Sequence, residues 1–292
     1  MPRILLLGAG GQLGMQLARN LHGHGDFVAL SRAELDLSNI DAARAAVRDA
    51  APAVVINAAA YTAVDKAESE PELAALINGI APGVIAEELK ATNGWLIHYS
   101  TDYVFDGSGT TPWREIDPTG PLNAYGKSKL AGEEAIAATG VNHIILRTSW
   151  VYAAEGRNFL HTMLRLGRER EELKIVADQI GAPTTAEALT QATLAILARL
   201  DGDAADQLAG TYHLACAGET SWYGFAEAIF AAFADRQKPP RLLPIPTEAY
   251  FTPAQRPRNS RLDCSKFAQV FDYAMPHWQA ALEEVAATLK KN

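Results

Sequence analysis

Cysteine is scarce in this 292-residue sequence, which contains only Cys216 and Cys264. Disulfide frameworks and cysteine-rich metal sites both need several cysteines at short spacings, so the scarcity excludes both. One disulfide is formally available, but two buried thiols in a reducing cytoplasm are the expected arrangement. The seven histidines show no metal-ligand spacing either, so the sequence predicts no metal site.

Long hydrophobic runs are absent too. A membrane-spanning helix needs about 20 consecutive apolar residues, and no segment of the sequence approaches that length. The apolar run at residues 4–7 is short and leads into glycines, which is typical of a strand and not of a signal peptide. We therefore expect a cytoplasmic protein that has no membrane partner.

An excess of positive charge is the third feature that the sequence lacks. The formal net charge is −8 and the sequence pI is about 5.4. General nucleic-acid-binding surfaces depend on clustered lysine and arginine, so we expect no nucleic-acid partner. The hydrophobic fraction of 48% and charged fraction of 21% are those of an ordinary globular protein.

Strand-like and helix-like segments alternate through residues 1–150, and the first strand-like runs are continuously apolar. Such runs are typical of strands that are buried on both faces of a parallel sheet. The alternation predicts an α/β fold, a Rossmann-like doubly wound parallel sheet that binds NAD(P). The predicted strands are 3–7, 27–30, 53–56, 95–99 and 143–146, and the predicted helices are 12–22, 41–50, 72–91 (interrupted near Pro82-Gly83) and 123–138.

The alternation becomes less regular after residue 150, where proline-rich stretches separate helical patterns. We interpret residues 151–292 as a smaller C-terminal α/β substrate-binding region, some segments of which return to the main sheet. The helices predicted in this region are 158–171, 185–200, 221–234 and 277–290.

A glycine-rich turn follows the first predicted strand and opens the first predicted helix, with Gly8, Gly11 and Gly14 in a GxxGxxG pattern. Gly8 permits a tight turn, Gly11 lets a pyrophosphate approach the backbone, and Gly14 lets the helix pack closely on the sheet. The free N–H groups of the helix N-terminus favour phosphates. The turn therefore predicts a dinucleotide site, and a plain strand-to-helix turn is the alternative.

The end of the second predicted strand bears on the choice of cofactor. Sites for NAD usually place a carboxylate there for the ribose, whereas this sequence has Ser31 and Arg32. Arg32 suits the 2′-phosphate of NADPH, and a solvated loop arginine is the alternative. Glu34 and Asp36 follow closely, so both NADPH and NADH stay open as cofactors.

Tyr125 and Lys129 are four residues apart, which places both side chains on one face of a helix. A free phenol titrates near about 10, and a neighbouring lysine cation is expected to lower that value. Tyr125 would then protonate a substrate oxygen as a hydride arrives, which is general acid catalysis. The same spacing also occurs by chance on surface helices.

Thr101 makes the catalytic interpretation stronger. It stands with Ser100 and Asp102 at the carboxyl end of the fourth predicted strand, the edge at which open parallel sheets bind ligands. Its hydroxyl is expected to bond the carbonyl oxygen of the substrate beside Tyr125. Together with Lys129 and the glycine turn, these residues predict an NAD(P)H-dependent reductase.

These residues and several longer segments resemble the extended short-chain dehydrogenase/reductase family, and within it the dTDP-4-dehydrorhamnose reductases. The resemblance covers almost the whole chain. It implies that a small dTDP-sugar, dTDP-4-dehydro-6-deoxy-L-mannose, is reduced at its 4-keto group to give dTDP-L-rhamnose. The segments that carry the resemblance are 57–68, 100–107, 147–152, 178–184 and 256–262.

The resemblance also implies roles for individual residues. Thr101, Tyr125 and Lys129 would be the catalytic triad, with Tyr125 and Lys129 also contacting the cofactor. The other implied cofactor-binding residues are Gly11, Gln12 and Leu13 at the pyrophosphate, Asp36 and Leu37 at the adenine, and Ala60, Tyr61 and Thr62 along the cofactor. Gly8 in the glycine turn, Ser31 and Arg32 after the second strand, and Ala58 complete the predicted cofactor site. The implied substrate-binding residues are Thr62, Val64, Thr101, Asp102, Tyr103, Tyr125 and Trp150, with Arg256 at the diphosphate. An ordinary aromatic residue at a strand end is the alternative for Trp150, and a surface arginine is the alternative for Arg256.

The sequence departs from some relatives at the residues that bridge a dimer through magnesium. Those relatives carry acidic residues on the first helix and in the second domain, but this sequence has Gln16 at the first position and only Glu187 near the other. A Mg²⁺-bridged dimer is therefore not favoured. Both a monomer and a homodimer remain compatible with the sequence.

Two alternative functions stay open. An epimerase or dehydratase of the same extended family is one, but a dehydratase would need a second carboxylate where Tyr103 follows Asp102. A non-catalytic, NADP-binding regulatory subunit is the other, and the intact Thr101, Tyr125 and Lys129 speak against it.

Overall fold

The computed structural model describes residues 3–200 and 205–291. Its twelve strands are β1 Ile4–Leu7, β2 Phe27–Leu30, β3 Val54–Asn57, β4 Trp95–Thr101, β5 Asn142–Thr148, β6 Val151–Tyr152, β7 Glu172–Val176, β8 Ile180–Gly181, β9 Thr184–Thr185, β10 Gly210–His213, β11 Thr220–Ser221 and β12 Arg241–Ile245. Its eleven α-helices are α1 Gln12–Asn20, α2 Ile40–Ala50, α3 Val64–Ala67, α4 Pro71–Ala75, α5 Ala81–Lys90, α6 Ala124–Thr139, α7 Phe159–Glu169, α8 Ala186–Leu200, α9 Trp222–Ala232, α10 Ser265–Phe271 and α11 Trp278–Lys291.

The main sheet has six strands in the order β10-β5-β4-β3-β1-β2, and all its pairings are parallel. The chain starts at β1, moves outward to β2 and then crosses to β3 on the other side. The strand order therefore reverses between β1 and β3, which is the switch point where doubly wound sheets bind ligands. This topology confirms the predicted doubly wound parallel sheet.

Apolar side chains on both faces of the sheet explain the continuous hydrophobic runs of its strands. On one face, Leu6 and Ile56 pack with residues of α1, α8 and α10, such as Leu17. On the other face, Leu5 and Ile145 pack with residues of α2, α5 and α6. Burial of both faces leaves only the strand ends free to form a site.

A second hydrophobic core lies in the C-terminal part of the chain, where α7, α9 and α11 pack around β7 with Phe225 and Trp278 at its centre. The main sheet also recruits C-terminal segments, because β10 pairs with β5 and α8 packs on the face that carries α1. Among the described residues, no helix is both long and apolar enough to cross a bilayer. Cys216 and Cys264 are free thiols.

The helix predicted at 72–91 is continuous, but its hydrogen bonding changes in the middle. A π-helical turn at Leu76–Ile80 joins α4 to α5, and Pro82 lies in the first turn of α5. The extra residue in the π turn adjusts the helix before the proline, which has no N–H to donate. The predicted interruption therefore falls a few residues earlier than expected. The short helix α10 was not predicted.

Candidate functional site

A cavity of about 830 Å³ opens at the carboxyl ends of the central strands. Residues that were predicted for the site line it, although they come from segments that are far apart in the sequence. The predicted site residues that line it are Gly8, Gly11, Gln12, Leu13, Ser31, Arg32, Asp36, Leu37, Ala58, Ala60, Tyr61, Thr62, Val64, Thr101, Asp102, Tyr103, Tyr125, Lys129 and Trp150. Arg256 is the one predicted site residue that is not part of this lining.

The glycine turn between β1 and α1 forms one end of the cavity. Gly8 has a φ of +83°, and a Cβ there would lie 2.6 Å from the backbone nitrogen of Ala59. A Cβ on Gly14 would lie 2.0 Å from the carbonyl oxygen of Gly8. No side chain caps the first turn of α1 and no acidic residue stands in it. The exposed N–H groups therefore suit an anionic pyrophosphate.

The adenosine end of the cavity is built by the segment after β2. Arg32 has a side chain that is 76% exposed and pairs with Asp36 at 3.3 Å. The Glu34 carboxylate accepts hydrogen bonds from the backbone N–H and the hydroxyl of Ser31, both at 2.8 Å. A hydrogen bond from the backbone of Ser38 is the main cause that lowers the pKa of Asp36. The segment thus offers one cation, Arg32, and the carboxylates of Glu34 and Asp36 to a ribose.

The loop after β3 lines the middle of the cavity and is held by the π turn. Asn78, which is 1% exposed, accepts a hydrogen bond from the Tyr61 N–H at 2.8 Å and donates to the Tyr61 carbonyl at 3.0 Å. It also donates to the Ser128 hydroxyl on α6 at 3.0 Å. The π turn therefore fixes the cofactor loop against the helix that carries the catalytic pair.

Tyr125 lies in the first turn of α6, two residues after the N-cap Asn123, whose side chain accepts from the Gly126 N–H. Its ring meets that of Tyr103 edge to face, with centroids 5.6 Å apart. Thr101 caps the short turn after β4 by accepting from the Tyr103 N–H at 3.2 Å. The end of β4 and the start of α6 therefore place the Thr101 hydroxyl and the Tyr125 phenol in the same cavity.

The pKa of Tyr125 moves in the opposite direction to the one expected from the sequence. Burial raises it, the charge of Asp102 adds to the rise, and a hydrogen bond with Thr101 opposes it. Lys129 does not contribute to the shift, and its Nζ contacts the Tyr99 carbonyl and His98. The phenol is neutral at physiological pH with or without this shift, and the raised pKa makes it a weaker acid until a neighbouring cation stabilises the phenolate.

Lys129 is 1% exposed and reaches the cavity from within the protein. Its Nζ donates to the carbonyl oxygen of Tyr99 at 2.5 Å and lies 3.2 Å from Nε2 of His98. Burial lowers the pKa of Lys129 to about 8, while the charge of Glu133 opposes this shift. Lys129 is thus a buried amine whose charge is sensitive to its neighbours.

Two buried polar atoms at the site have no partner among the described residues. They are Oδ2 of Asp102 and Oγ1 of Thr148, whose residues both line the cavity. Burial raises the pKa of Asp102 to about 6, and the hydroxyls of Ser260 and Thr101 oppose this rise, the latter by donating to Oδ1 at 3.0 Å. Buried polar atoms are rarely left unpaired, so both suit contacts with a polar ligand.

Trp150 stands just after β5 with a φ of +49°, a left-handed backbone conformation that residues other than glycine rarely adopt. Its indole stacks on Trp222 with centroids 3.7 Å apart and an angle of 14° between the planes. Trp222 also lines the cavity and donates through Nε1 to Gln179 at 3.1 Å. Stacking against Trp222 holds Trp150 in its strained position at the cavity wall.

Arg256 is committed to an ion pair outside the cavity lining. Its guanidinium donates to both carboxylate oxygens of Asp65, at 2.9 and 2.8 Å. This hydrogen bonding lowers the pKa of Asp65. A diphosphate that binds Arg256 would have to compete with this carboxylate.

Sequence reasoning missed several lining residues. Thr148 stands at the carboxyl end of β5, beside Thr101 at the end of β4, and so it could have been predicted by the same rule that ligands bind at the carboxyl ends of parallel strands. No sequence pattern around Trp222 marks it as a site residue, because only the tertiary fold brings α9 to the cavity. The other lining residues that were not predicted are Leu7, Gly10, Leu30, Ala33, Leu35, Ala59, Ile77, Tyr99, Ser100 and Val151.

The two positions that the sequence raised for a Mg²⁺ bridge are Gln16 and Glu187. Gln16 lies on α1, and Glu187 in the first turn of α8 accepts from the Gln191 side chain at 2.7 Å. Within residues 3–200 and 205–291, no group of three or more His, Cys, Asp or Glu side chains is arranged to hold a metal ion.

Sequence comparisons match the chain over nearly its full length. The family model described as "RmlD substrate binding domain" matches residues 2–291. The dTDP-4-dehydrorhamnose reductase of Burkholderia thailandensis is 49% identical over 287 residues, which are 96% of this chain and 96% of that protein. The dTDP-4-dehydrorhamnose reductase of Escherichia coli K12 is 47% identical over 290 residues, 97% and 96% of the two chains.

Solved structures match equally well. The Bacillus anthracis dTDP-4-dehydrorhamnose reductase, determined in complex with NADP, has a TM-score of 0.91 and 36% identity, and the match covers 98% of this chain and 99% of that one. The Thermus thermophilus UDP-glucose 4-epimerase, in complex with NAD, has a TM-score of 0.80, 17% identity and 99% coverage of both chains. At that identity, the second match shows the fold alone.

Proposed function

Because the chain belongs to the dTDP-4-dehydrorhamnose reductase family, we propose that it reduces the 4-keto group of dTDP-4-dehydro-6-deoxy-L-mannose to give dTDP-L-rhamnose. The chain is an NAD(P)H-dependent oxidoreductase. The observation that carries the proposed residue roles is the convergence of Thr101, Tyr125 and Lys129 on one cavity with the glycine turn.

The residues present fit a nicotinamide dinucleotide. The uncapped N-terminus of α1 suits its pyrophosphate, and the cavity extends from Gly11 past Tyr61 to Lys129. When bound, the reduced nicotinamide supplies the hydride. The chain itself then has to hold the cofactor, orient the ketone and provide one proton.

Tyr125 is the proposed proton donor. Its neutral phenol transfers the proton from Oη to the ketone oxygen. Thr101 holds that oxygen by a hydrogen bond, for which its hydroxyl has to turn away from Oδ1 of Asp102, to which it donates at 3.0 Å. The phenolate that remains gains from the nearby Lys129, because a cation stabilises the charged form of a phenol. Lys129 is also the proposed partner of the nicotinamide ribose.

The proposed sugar-nucleotide site lies between the two regions of the chain, with residues 1–150 holding the cofactor and 151–292 completing the substrate site. Trp150 and Tyr103 offer apolar faces to the sugar ring, and Oδ2 of Asp102 offers an acceptor for a hydroxyl. Thr62 and Val64 line the same cavity. Arg256 stays a proposed diphosphate contact, which requires exchange with Asp65.

The assay that tests this function mixes the purified protein with NADPH and the 4-keto-L-sugar nucleotide and follows the loss of absorbance of the reduced cofactor. We expect oxidation of NADPH in proportion to the ketone supplied. Binding of NADPH without oxidation would instead support the regulatory-subunit alternative. A product that lacks water relative to the substrate would support the dehydratase.

Replacement of Arg32 tests which cofactor the adenosine end recognises. In Arg32→Gln we expect the Kd of NADPH to rise by about fivefold, because an exposed ion pair contributes up to about 1 kcal/mol. The Kd of NADH should stay unchanged. Arg165→Gln is the matched control, since Arg165 is 60% exposed and also pairs with an acidic residue four positions on. An equal effect of Arg32→Gln on both cofactors would show that Arg32 does not bind the 2′-phosphate.

Replacement of Trp222 tests whether its stacking on Trp150 supports substrate binding. In Trp222→Leu we expect the KM for the sugar nucleotide to rise by about twofold to tenfold, because an aromatic pair contributes about 0.5–1.5 kcal/mol. The Kd of NADPH should not change. Trp113→Leu is the control, because Trp113 stacks on Phe105 and is not part of the cavity lining. Steady-state kinetics with an unchanged KM in Trp222→Leu would contradict the assignment.

A further inference from the structure

A chain of buried polar side chains extends from Lys129 away from the cavity. Lys129 is 1% exposed, and His98 and Asn57 are both 0% exposed. Asn57 and His98 are direct neighbours on β3 and β4. Their side chains lie on the sheet face that α6 covers, where His98 meets Lys129. The roles proposed so far make no use of His98 or Asn57.

The hydrogen bonds of Asn57 determine where His98 carries its proton. Oδ1 of Asn57 accepts from the backbone N–H of Ala59 at 3.1 Å, so its Nδ2 is the atom that faces Nδ1 of His98 at 3.2 Å. An amide nitrogen only donates, so Nδ1 of the ring must accept. The proton of a neutral His98 then sits on Nε2.

This tautomer gives Lys129 an unfavourable neighbour when the lysine is charged. Nε2 of His98 lies 3.2 Å from Nζ of Lys129. An ammonium group has only donors, so the N–H of His98 faces another donor. An uncharged amine, in contrast, accepts from His98 and still donates to the carbonyl of Tyr99 at 2.5 Å.

We propose that His98, oriented by Asn57, is a positioning residue that disfavours the charged form of Lys129 in the ligand-free protein, so that Lys129 takes up a proton when the cofactor binds. The proton comes from solvent and adds to Nζ, with no other bond made or broken. This inference rests on the proposed function, in which the ribose hydroxyls give the ammonium new acceptors and the pyrophosphate adds negative charge.

The remaining groups around Lys129 are compatible with this role. On α6, Tyr125 lies one turn before it, and Glu133 lies one turn after it and is held by Arg147 on β5. Glu133 favours the charged lysine, while burial disfavours it and brings its pKa to about 8. Burial, followed by the charge of Lys129, holds the pKa of His98 well below its usual range, so the ring stays neutral.

The direct test is an NMR titration of Lys129 in the ligand-free protein. In His98→Gln the amide can turn its oxygen toward Nζ, and we expect the pKa of Lys129 to rise by about one unit. The control is His213→Gln, since His213 is also 0% exposed but bonds the carbonyl of Trp113. An unchanged Lys129 titration in a folded His98→Gln protein would overturn the proposal.

A second measurement uses the unaltered protein. Calorimetry of NADH binding near pH 8, in buffers with different ionisation enthalpies, should reveal net proton uptake, and this uptake should be smaller in His98→Gln. Absence of uptake in the unaltered protein would overturn the inference alone, if ketone reduction proceeds normally. If the pKa of Lys129 rises in His98→Gln as expected but the unaltered protein does not reduce the ketone, the proposed function is overturned instead.

Discussion

Tyr125→Phe should lower kcat by about 10²- to 10⁴-fold, the usual contribution of a general acid. The change removes only the hydroxyl that donates the proton, and it leaves the ring against Tyr103. Because the other proposed cofactor contacts, at the glycine turn, after β2 and at Lys129, are unchanged, the Kd of NADPH should change by less than about twofold. Single-turnover kinetics and cofactor fluorescence would measure the two quantities separately.

Tyr152→Phe is the matched control for this experiment. Tyr152 is 1% exposed, and its hydroxyl has no partner among the described residues. Loss of that hydroxyl removes no hydrogen bond of the site, so kcat should stay at the level of the unaltered protein. Full activity of Tyr125→Phe, or an equal loss in both variants, would refute Tyr125 as the proton donor.

Glu133→Leu should lower the free energy of unfolding by about 3–5 kcal/mol, the usual effect of removing one partner of a buried ion pair. Glu133 and Arg147 are both 5% exposed, and Arg147 donates to the carboxylate through Nε at 3.0 Å and Nη2 at 2.6 Å. The Ser100 hydroxyl donates to the same carboxylate at 2.5 Å. Without Glu133, the guanidinium stays buried and uncompensated.

Two comparisons separate the buried charge from the loss of packing. The double variant Glu133→Leu/Arg147→Leu should recover most of the lost stability, because no buried charge is left unpaired. The exposed pair of Arg165 and Glu169 is the surface control, and Glu169→Gln should change stability by less than about 1 kcal/mol. Chemical denaturation would measure all three, and equal losses in the single and double variants would contradict the ion-pair explanation.

The main sheet could be predicted because its information is local. Apolar runs such as Ile4–Leu7 and the glycine turn after it specify strand, turn and helix within a few residues. The carboxyl ends of parallel strands share one edge, so Thr101 and Tyr125 could be assigned to the same site before any contact was known. Thr148 obeys the same rule at the end of β5.

Other parts of the site could not be predicted from local sequence. Trp222 reaches the cavity only because the second core places α9 beside Trp150. The partner of Arg256 is Asp65, which is nearly 200 residues away in the sequence, and no spacing rule connects such positions. The predicted direction of the Tyr125 pKa shift was wrong for a related reason, since burial is a property of the whole fold.

The sequence by itself determined the family, the doubly wound sheet and the four-residue spacing that puts Tyr125 and Lys129 on one helix face. Only the tertiary structure decided the electrostatic state of that pair. Burial raises the pKa of the Tyr125 phenol, and the amine of Lys129 donates to the Tyr99 carbonyl and lies against His98. The reason is physical: helix geometry depends on neighbours a few residues apart, whereas desolvation and charge depend on every group that the fold brings within hydrogen-bonding distance.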